Sequence, residues 1–467
     1  MVRTSGLRDS WLQSTIEGLH HVLVASAKDR TRLFRFFRRA SNTDYAFDKD
    51  SMSFEVSDTP QLNLSSKHSV GSKCEEALSS RVDWLAPTVG NKSSKNDAEV
   101  YLTRIKRIFA VALLLSLLIS TASSGTLGEN PPKRRVRIYY IAAEDVMWNY
   151  APGGRNLTGT PGPENESGIS STTYRKAAYN EYTDGTFTTL KPRSPEWEHL
   201  GILGPLIRAE VGDVIKIFFK NNTKFFCSMH PHGLAYTKDS EGALYSDNAQ
   251  PEAKKGDAVP PGKTYTYTWT VPERAGPASG DSNSVLWVYH SHFVEPRDMN
   301  TGLFGPILVS AKGSTKPDGT PKDVDREFIV AFAVFDETES WYFESNAMNR
   351  RKYTQGLRLS DPAFRQRYLL YSLNGFIEGN LPVMTMKKGE RVRWYLFANG
   401  NEDDVHTPHW HGQTVVFNNM RTDMVHLEPM MMVQADMVPD NVGTWLFHCH
   451  VNDHIEGGMQ AIFKVLP

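Results

Sequence analysis

The region from Arg135 to Pro467 of this 467-residue sequence predicts an all-β fold, built as two β-sandwich domains in tandem. Short segments rich in β-branched and aromatic residues alternate there with clusters of glycine, proline, asparagine and aspartate. No long segment has the helical period, and many short strands without long helices are typical of β-sandwiches. The two halves of the region also repeat the same short motifs, which indicates a duplicated domain.

The first domain is expected at residues 131–312 and the second at residues 323–467, with a polar linker near 311–325 between them. The strands expected in the first domain are Val136–Ile141, Val214–Phe219, Thr264–Trp269 and Val285–Tyr289. Those expected in the second are Glu327–Phe332, Arg391–Leu396, Thr414–Phe417, Gly443–Phe447 and Gln460–Val465. Each is a short apolar run bounded by turn-forming residues.

The segment before the β region predicts export. Residues 1–103 are expected to be a poorly structured N-terminal segment or an extension of the gene model, since residues 51–100 are polar and rich in serine. Residues 104–125 combine basic residues, a short apolar run and small residues, which is typical of a secretory signal peptide. A signal anchor is the alternative, so we expect a secreted protein or one tethered by an uncleaved anchor. Three glycosylation acceptors, Asn156, Asn165 and Asn221, agree with export.

Composition narrows the class of partner and the disulfide pattern. The net charge is −1 and no basic run carries interleaved aromatic residues in the second half, so no nucleic-acid partner is expected. The cysteines are Cys74, Cys227 and Cys449. If Cys449 binds a metal, only Cys74 and Cys227 could pair. Signal cleavage would remove Cys74 and leave Cys227 unpaired.

The histidines are sorted into clusters, which favours a metal site over a packed core. His448-Cys449-His450 lies near the C-terminus, followed by His454 and Met459. Further His-x-His pairs are His230/His232, His290/His292 and His409/His411, the last preceded by His406. Imidazoles gathered with one thiolate and one thioether form a copper ligand set. His199 and His426 lie outside the pattern and are interpreted as ordinary surface or packing histidines.

Strand geometry divides these residues between two kinds of copper site. Residues i and i+2 of a strand face the same side, so each His-x-His pair directs two imidazoles into one space. Four pairs supply eight imidazoles, four from each domain, which suits three coppers held where a first domain faces a second domain. Cys449 faces the other way and predicts, with His406, His454 and Met459, a blue copper site. The equivalent residue of the first domain is Ser291. Taken singly, a His-x-His pair, a buried thiol or a core methionine would mean little.

These residues resemble the multicopper oxidases, in particular the ceruloplasmin and hephaestin branch, over about Arg135–Pro467. The shared segments include Tyr289–Phe293, Asp336–Tyr342, Leu373–Gly375, Trp394–Leu396, Gly400–Glu402 and His448–Ile455. The resemblance implies cupredoxin-like Greek-key β-sandwich domains. It also implies one-electron oxidation of a substrate at a type 1 copper and four-electron reduction of O2 to water at a trinuclear centre.

The resemblance assigns a role to each ligand. Type 1 copper corresponds to His406, Cys449, His454 and Met459. Type 2 copper corresponds to His230 and His409. The type 3 pair corresponds to His232, His290, His292, His411, His448 and His450. No ligand is missing, so about four coppers per chain and a working oxidase are expected.

The number of domains departs from the six of ceruloplasmin-like chains. Two-domain relatives form the trinuclear centre by trimerising, with domain 1 of one subunit meeting domain 2 of the next. We therefore expect a homotrimer closed by three-fold rotation, with interchain trinuclear sites. An intramolecular cluster within a monomer is the alternative.

The residues expected to bind the reductant are the second point at which this sequence departs from the family. Asp453 and Glu402 match acids of the family's Fe²⁺ site, and with Cys449, His448 and His450 they are the candidate catalytic residues. Gln366 and Tyr371 stand where the family has a carboxylate and a histidine, which weakens a site for a hard cation. Ferroxidase activity in iron homeostasis is the leading hypothesis. The alternatives are a laccase-like oxidase of phenols or amines, or a cuprous oxidase that collects Cu⁺ at Met430, Met431 and Met432; hydrophobic packing is the simpler interpretation of these methionines.

Two other functions and a calcium site are also considered. A non-enzymatic copper carrier or adhesion domain would keep the ligands without turnover. A nitrite-reductase-like trimer needs fewer interface histidines, so the complete set of eight argues against it. The resemblance also suggests a calcium site at Lys238, Glu241, Asp247 and Asp257, with a solvated acidic loop as the alternative.

Overall fold

The computed structural model describes residues 134–160, 172–348, 362–400 and 405–467. The chain divides into two compact units, Met1–Ser124 and Gly125–Pro467, and all described residues belong to the second. The predicted signal at 104–125, the segment 1–103, Cys74, Asn165 and Glu402 lie outside the described residues. The predicted all-β fold is confirmed, since the described residues form four sheets with only short helices between them.

Two sheets come from the first half of this unit. Their strands are β1 (Val136–Asn149), β2 (Thr173–Tyr182), β3 (Ile207–Glu210), β4 (Val214–Asn221), β5 (His230–Pro231), β6 (Ala235–Tyr236), β7 (Thr264–Thr270), β8 (Ser284–His290) and β9 (Phe304–Ser310). Sheet I has the order β2-β1-β4-β7-β6, and sheet II has the order β3-β9-β8-β5. Along β4, half-buried and buried side chains alternate, as expected for a strand with one face on a core.

The other two sheets come from the second half. Their strands are β10 (Arg326–Asp336), β11 (Leu369–Leu373), β12 (Met384–Lys387), β13 (Val392–Ala398), β14 (Pro408–Trp410), β15 (Val415–Phe417), β16 (Met420–Thr422), β17 (Met432–Met437), β18 (Gly443–Cys449) and β19 (Gln460–Leu466). Sheet III has the order β11-β10-β13-β17-β15-β16, and sheet IV has the order β12-β19-β18-β14. All nine strands predicted from the sequence are present within these bounds or one residue of them.

The helices are short. The α-helices of the described residues are α1 (Glu295–Thr301), α2 (Phe343–Met348), α3 (Pro362–Gln366) and α4 (Asn452–Glu456). Short 3₁₀ helices lie at Pro195–Leu200, Lys238–Ser240, Pro251–Lys254 and Glu273–Ala275. Within the described ranges, no helix has the length and apolar character needed to cross a bilayer.

Strand pairing repeats between the two halves. Strand β1 pairs in parallel with β4, and β10 pairs in parallel with β13. Strand β5 runs antiparallel to β8 and brings His230 opposite His290, while β14 runs antiparallel to β18 and brings His409 opposite His448. The histidine motifs therefore lie in equivalent strand pairs.

Apolar side chains stack the sheets in the order I, II, III, IV. A first core between sheets I and II includes Ile217 and Trp269, and a second core between sheets III and IV includes Trp394. A third cluster, which we call the seam, joins sheets II and III and includes Phe304 and Phe397. Strand β10 is buried on both faces, because its alternate residues point into the second core and into the seam.

Candidate metal centre

Three side chains of the second half converge on one buried point. His406, Cys449 and His454 offer ligand atoms that all lie within 4.8 Å of one another. Cys449 Sγ is 3.7 Å from His406 Nδ1 and 3.5 Å from His454 Nδ1, and the two nitrogens are 3.0 Å apart. All three residues are buried. No described carboxylate belongs to this group.

These separations fit a small metal ion bound by all three atoms. A metal about 2.0 Å from each nitrogen and 2.3 Å from sulfur, with ligands spread around it, separates the ligand atoms by about 3.5 Å. The observed separations bracket this value. Two imidazoles and one thiolate are a soft donor set that suits copper.

Backbone hydrogen bonds hold Met459 beside this trio. The amide of Cys449 donates to the Met459 carbonyl at 3.1 Å, and the amide of Met459 donates to the His454 carbonyl at 2.9 Å. Met459 is fully buried in the second core. The short helix α4 supplies His454, so the connection between β18 and β19 carries three of the four predicted ligands, Cys449, His454 and Met459.

The Cys449 thiol is set up to lose its proton. Burial alone would raise its pKa, but hydrogen bonds from His406, His454 and the Thr407 amide outweigh burial and lower the pKa of Cys449 to about 6. A thiolate is the form that binds metals. The trio therefore offers its soft ligand ready ionised at neutral pH.

The first half contributes a group of four histidines, here called half-site 1. His232 Nε2 lies 3.0 Å from His290 Nε2. The His230 ring contacts the rings of His232, His290 and His292, with centroids 5.2–5.6 Å apart. His290 Nδ1 donates to the Ser291 carbonyl at 3.0 Å, which leaves its Nε2 as the free lone pair.

The second half contributes the matching half-site 2. His448 Nε2 lies 3.0 Å from His411 Nε2 and 3.3 Å from His409 Nδ1. The His450 ring completes the group, 5.3 Å from the ring of His409. His448 Nδ1 donates to the Cys449 carbonyl at 2.7 Å, the same arrangement as in half-site 1.

Burial favours the neutral form of five of the half-site imidazoles. It lowers the pKa of His232 to about 4 and that of His448 to about 4, and it holds the pKa of His290 well below the ordinary value. Burial also lowers the pKa of His230 and His411. Neutral imidazoles keep the lone pairs that a metal needs at neutral pH.

Neighbouring residues of β18 face opposite sides of sheet IV. Phe447 and Cys449 point into the second core, whereas His448 lies with half-site 2 on the outer face. In sheet II, His290 shares a face with Leu286 and Val288, which contribute to the seam. The two half-sites therefore lie on opposite sides of the sandwich formed by sheets III and IV. Within the described residues, each ring contact between two half-site histidines joins members of the same half-site.

A carboxylate lies beside each half-site, and sequence reasoning missed both. Glu295 is 3.3 Å from His292 Nε2, and Asp423 is 3.5 Å from His409 Nε2. Glu295 could have been found from the sequence, because it follows His292 by three residues. Asp423 comes from a different hairpin, and no local motif points to it.

Tyr371 lies against the buried trio, and Gln366 lies against Tyr371. The ring centroid of Tyr371 is 5.2 Å from that of His454, and Gln366 Nε2 donates to the Tyr371 hydroxyl at 3.3 Å. Asp453 is exposed on α4 next to His454. Glu402, the other predicted acid, lies outside the described residues.

The methionine run does not form a soft cluster. Met431 packs against the second core, whereas Met430 and Met432 pack against the seam. Because the side chains diverge to two hydrophobic clusters, the idea of a Cu⁺-collecting triad is wrong, and the simpler packing interpretation holds.

The predicted calcium ligands make ion pairs instead of a group of converging acids. Asp247 pairs with Lys238 and Lys254, each at 2.5 Å, and Lys238 also pairs with Glu241. Asp257 is fully buried, and neither of its carboxylate oxygens has a hydrogen-bond partner among the described residues. Burial raises the pKa of Asp257 to about 6. The groups of metal-ligating side chains found in the described ranges are the trio and the two half-sites.

The prediction of a glycan on Asn221 is wrong. Asn221 is fully buried, and its Nδ2 donates to the carbonyls of Phe225 and Val259, both at 2.8 Å. A glycan on that nitrogen would break both bonds, so this fold excludes it. Asn156 is exposed, and its Nδ2 donates to the Thr160 carbonyl at 3.3 Å, so a glycan there stays a prediction.

His199 and His426 are ordinary packing and surface residues, as expected. Cys227 is buried and forms no disulfide with any described residue, and burial raises the pKa of its thiol. His199 is a buried packing residue and His426 is exposed. None of the three approaches the candidate metal groups.

Two family models, both described as multicopper oxidase, match residues 200–314 and 342–467. The first covers half-site 1, and the second covers the buried trio and half-site 2. The chain belongs to the multicopper oxidase family.

Individual relatives agree with this assignment. Hephaestin of Rattus norvegicus is 42% identical over 347 residues, which cover 72% of this chain and 30% of that protein. Ferroxidase HEPHL1 of Homo sapiens is 42% identical over 70% of this chain and 29% of its own length, and ceruloplasmin of Homo sapiens is 40% identical over 72% and 33%. The chain thus spans about a third of the length of these relatives. A crystal structure of a multicopper oxidase aligns with 73% of this chain and 93% of its own at 20% identity and a TM-score of 0.47.

Proposed function

We propose that this protein is a copper-dependent oxidase that couples the one-electron oxidation of a reductant to the four-electron reduction of O2 to water. The main support for this proposal is the His448-Cys449-His450 segment. Cys449 belongs to the buried trio on one face of sheet IV, and its neighbour His448 belongs to half-site 2 on the other face. When copper is bound, the trio supplies one-electron redox chemistry and the joined half-sites supply O2 reduction. The Cys–His peptide bonds give electrons a covalent route between them.

The ligand set proposed for each copper follows the geometry of the groups. His406, Cys449, His454 and Met459 would hold type 1 copper, and half-sites 1 and 2 together would hold a trinuclear cluster, about four coppers per chain. Within the cluster, His230 and His409 are proposed for type 2 copper. His232, His290, His292, His411, His448 and His450 are proposed for the type 3 pair. The division into domains at 131–312 and 323–467 is part of this proposal.

Assembly is proposed as a homotrimer with interchain trinuclear sites. Sheets III and IV separate the half-sites of one chain, and packed sheets lie about 10 Å apart. A head-to-tail ring would bring half-site 2 of one copy against half-site 1 of the next, which completes a cluster that a single copy leaves in halves.

Fe²⁺ is proposed as the principal reductant. Two of the relatives are named hephaestin and ferroxidase, and Asp453 stands exposed next to the ligand His454. Hard carboxylate ligands favour a hard cation. Glu402 and His448, with the Cys449 route, complete the residues that we propose for catalysis.

A phenol or aromatic amine is the second candidate reductant. The Tyr371 ring lies against His454 and the Gln366 amide donates to the Tyr371 hydroxyl, and neither side chain carries a charge. A phenol ring could lie against Tyr371, whereas an aquated dication would gain little from it. A copper carrier without turnover would show the blue colour but no O2 consumption.

Export and a calcium site are finer proposals. The signal at 104–125 supports secretion or membrane tethering, with Asn156 as a glycan acceptor.

Asp257 supports a structural cation, since its buried carboxylate lacks partners among the described residues. Calcium should then raise the melting temperature of the wild type and leave that of Asp257→Asn unchanged; an equal response would exclude this site.

Steady-state O2 uptake with Fe²⁺, Cu⁺ and phenolic donors tests the oxidase function. We expect O2 consumption with Fe²⁺ and a blue protein with about four coppers per chain. In Gln366→Glu/Tyr371→His, kcat/KM for Fe²⁺ should rise about tenfold, while the phenolic donors gain nothing. Unchanged Fe²⁺ kinetics would show that these two positions do not contact iron, and absent O2 uptake with every donor would exclude the oxidase.

A further inference from the structure

The loop between β8 and α1 in the first half corresponds to the copper-cysteine loop between β18 and α4. The amide of Ser291 donates to the Leu303 carbonyl at 3.0 Å. The amide of Cys449 donates to the Met459 carbonyl at 3.1 Å. Serine and leucine therefore occupy the places of the thiolate and thioether, so this loop has no soft metal ligand of its own.

The side-chain contacts of the two loops are equivalent as well. The Ser228 amide donates to Ser291 Oγ at 3.1 Å, and the Thr407 amide lies 3.4 Å from Cys449 Sγ. In the second half, a metal bound to Cys449 would fix the loop that carries His448 and His450. The first half must fix its loop in another way.

Asp298 ties the loop together in the first half. Its Oδ2 accepts hydrogen bonds from Ser291 Oγ at 2.7 Å and from the amides of Phe293 and Val294, both at 3.0 Å. Its Oδ1 accepts from Trp341 Nε1 at 2.7 Å. Asp298 is fully buried and acts only as an acceptor, so four donors converge on one carboxylate.

We propose that Asp298 is a positioning residue that holds half-site 1 in its metal-binding arrangement, in place of the ion that would hold the equivalent loop in the second half. His290 and His292 flank Ser291, and the residues on either side of His292 are bonded to the carboxylate directly. The role in copper binding rests on the proposed trinuclear function. The arrangement itself needs no metal, so half-site 1 is preformed in the metal-free protein.

Trp341 connects the Asp298 hydrogen bonds to the second half of the chain. It lies in the second half, after β10, and its ring stacks on Phe225 with centroids 5.2 Å apart at 13°. The Phe293 ring also stacks with the Trp341 ring, with centroids 6.5 Å apart at 20°. The geometry of half-site 1 is therefore set partly by a residue from the second half of the chain.

Asp298→Asn tests the proposal, because an amide cannot accept from all four donors. One side of the amide is an NH2 group, which must meet either the three loop donors or the indole N–H of Trp341. In the metal-free protein, we expect hydrogen exchange of the Phe293 and Val294 amides to accelerate at least about tenfold. Unchanged exchange would overturn the proposal.

The double variant Asp298→Asn/Trp341→Phe should reverse the faster hydrogen exchange of Asp298→Asn. Phenylalanine keeps a stacking ring and removes the indole N–H, so the amide NH2 can face it without a donor clash. Exchange should return most of the way to the wild-type rate. Asp213→Asn is the matched control, since Asp213 is a buried carboxylate that bonds Arg137 and the Glu210 amide away from this loop. Equal acceleration in the control would mean general loosening and would overturn the assignment.

Copper analysis then separates this inference from the proposed function. Asp298→Asn should fall from about four coppers per chain to about one, with the blue colour of the Cys449 site retained as an internal check of folding. Full copper content with wild-type spectra would overturn the positioning role. A wild type that binds no copper would instead exclude the proposed function, while the exchange measurement would still decide the role of Asp298.

Discussion

Cys449 lies between two candidate metal groups because its neighbours in the strand face away from it. The thiol lies with His406 and His454 inside the second core, and His448 lies with half-site 2 on the outer face. This alternation is the period of two that every strand has. The side of the strand on which Cys449 lies was therefore predictable from the sequence, and so was the separation of the buried trio from half-site 2.

Replacing Cys449 with serine should remove the blue colour and reduce O2 uptake to background. The hydroxyl is a poor copper ligand, whereas half-site 2 keeps all four of its histidines. Copper content should fall by about one per chain, the one held by the trio. Absorption spectra and metal analysis check this outcome, and a variant that stays blue would contradict the assignment.

Residues that act through hydrogen bonds were the ones that sequence reasoning missed. Asp298 was not predicted because its four donors come from Ser291, the following loop and Trp341, which is forty-three residues away. The sequence motif at Asn221 suggested a glycan, although the folded chain uses that amide to bond two backbone carbonyls. Such partners are set by tertiary contacts that no local pattern encodes.

At the scale of elements, the His-x-His pairs lie at strand ends. One histidine of each pair lies in β5, β8, β14 or β18, and its partner follows just beyond the strand. Gly233 and Gly412 then turn the chain at φ +72° and +67°, where a Cβ would come within 2.2 Å of Trp287 and 2.8 Å of Trp445. The His-x-His-Gly motif thus combines two candidate ligands with a glycine that the turn requires.

The 3₁₀ helix Pro195–Leu200 joins the halves through His199. His199 Nδ1 donates to the Glu196 carbonyl at 2.9 Å, and its Nε2 accepts from the Ile329 amide at 3.2 Å. Burial lowers the pKa of His199 to about 4. Since Ile329 belongs to β10, this neutral imidazole connects the first half to the central strand of the second.

Stability should therefore fall as the pH drops from 6.5 towards 4. In that window the unfolded chain binds a proton at His199 and the folded chain does not, so protons favour unfolding, by about 3 kcal/mol once the pH reaches 4. Below pH 4 this contribution should level off. Urea unfolding of metal-free protein checks it.

The control for this pH dependence is His199→Gln. Glutamine can still accept from the Ile329 amide but does not titrate, so the difference from wild type isolates one group among many histidines. The variant should show the smaller loss of stability between pH 6.5 and 4. Equal pH slopes in the two proteins would exclude His199 as the cause.

At the scale of the whole molecule, the seam makes one unit of two sandwiches. The continuous apolar run of β10 could have indicated burial on both faces, as in strands covered on each side. Which sheet covers it could not be read locally, because its partners Phe304 and Val288 belong to the other half. The fold of each half was predictable, whereas their mutual arrangement depended on long-range contacts.

A buried ion pair crosses the same boundary. Lys176 Nζ and Glu337 Oε1 are 2.5 Å apart and fully buried, and Lys176 also donates to the Asn300 carbonyl at 2.8 Å. Glu337→Gln should cost about 3–5 kcal/mol, because it leaves the ammonium buried without its counter-charge. Denaturant unfolding of metal-free protein measures this.

The double variant Lys176→Met/Glu337→Gln should recover most of that loss, since no buried charge remains. Additive losses from the two substitutions would contradict the account, because they would show that the two groups do not interact. A double-mutant cycle gives the coupling directly.

Complementation between two inactive variants tests the central claim most directly. His290→Ala/His292→Ala lacks half-site 1, and His409→Ala/His411→Ala lacks half-site 2, while the buried trio stays intact in both. Each variant alone should consume no O2. Co-expressed and co-purified through two different tags, they should recover a fraction of wild-type O2 uptake, because an intact half-site 1 of one copy meets an intact half-site 2 of another.

Recovery in the mixed assembly is the result that our account predicts. If the mixed assembly stays inactive although both variants are present in it, the cluster does not form between copies, and the proposed architecture of the oxidase is contradicted.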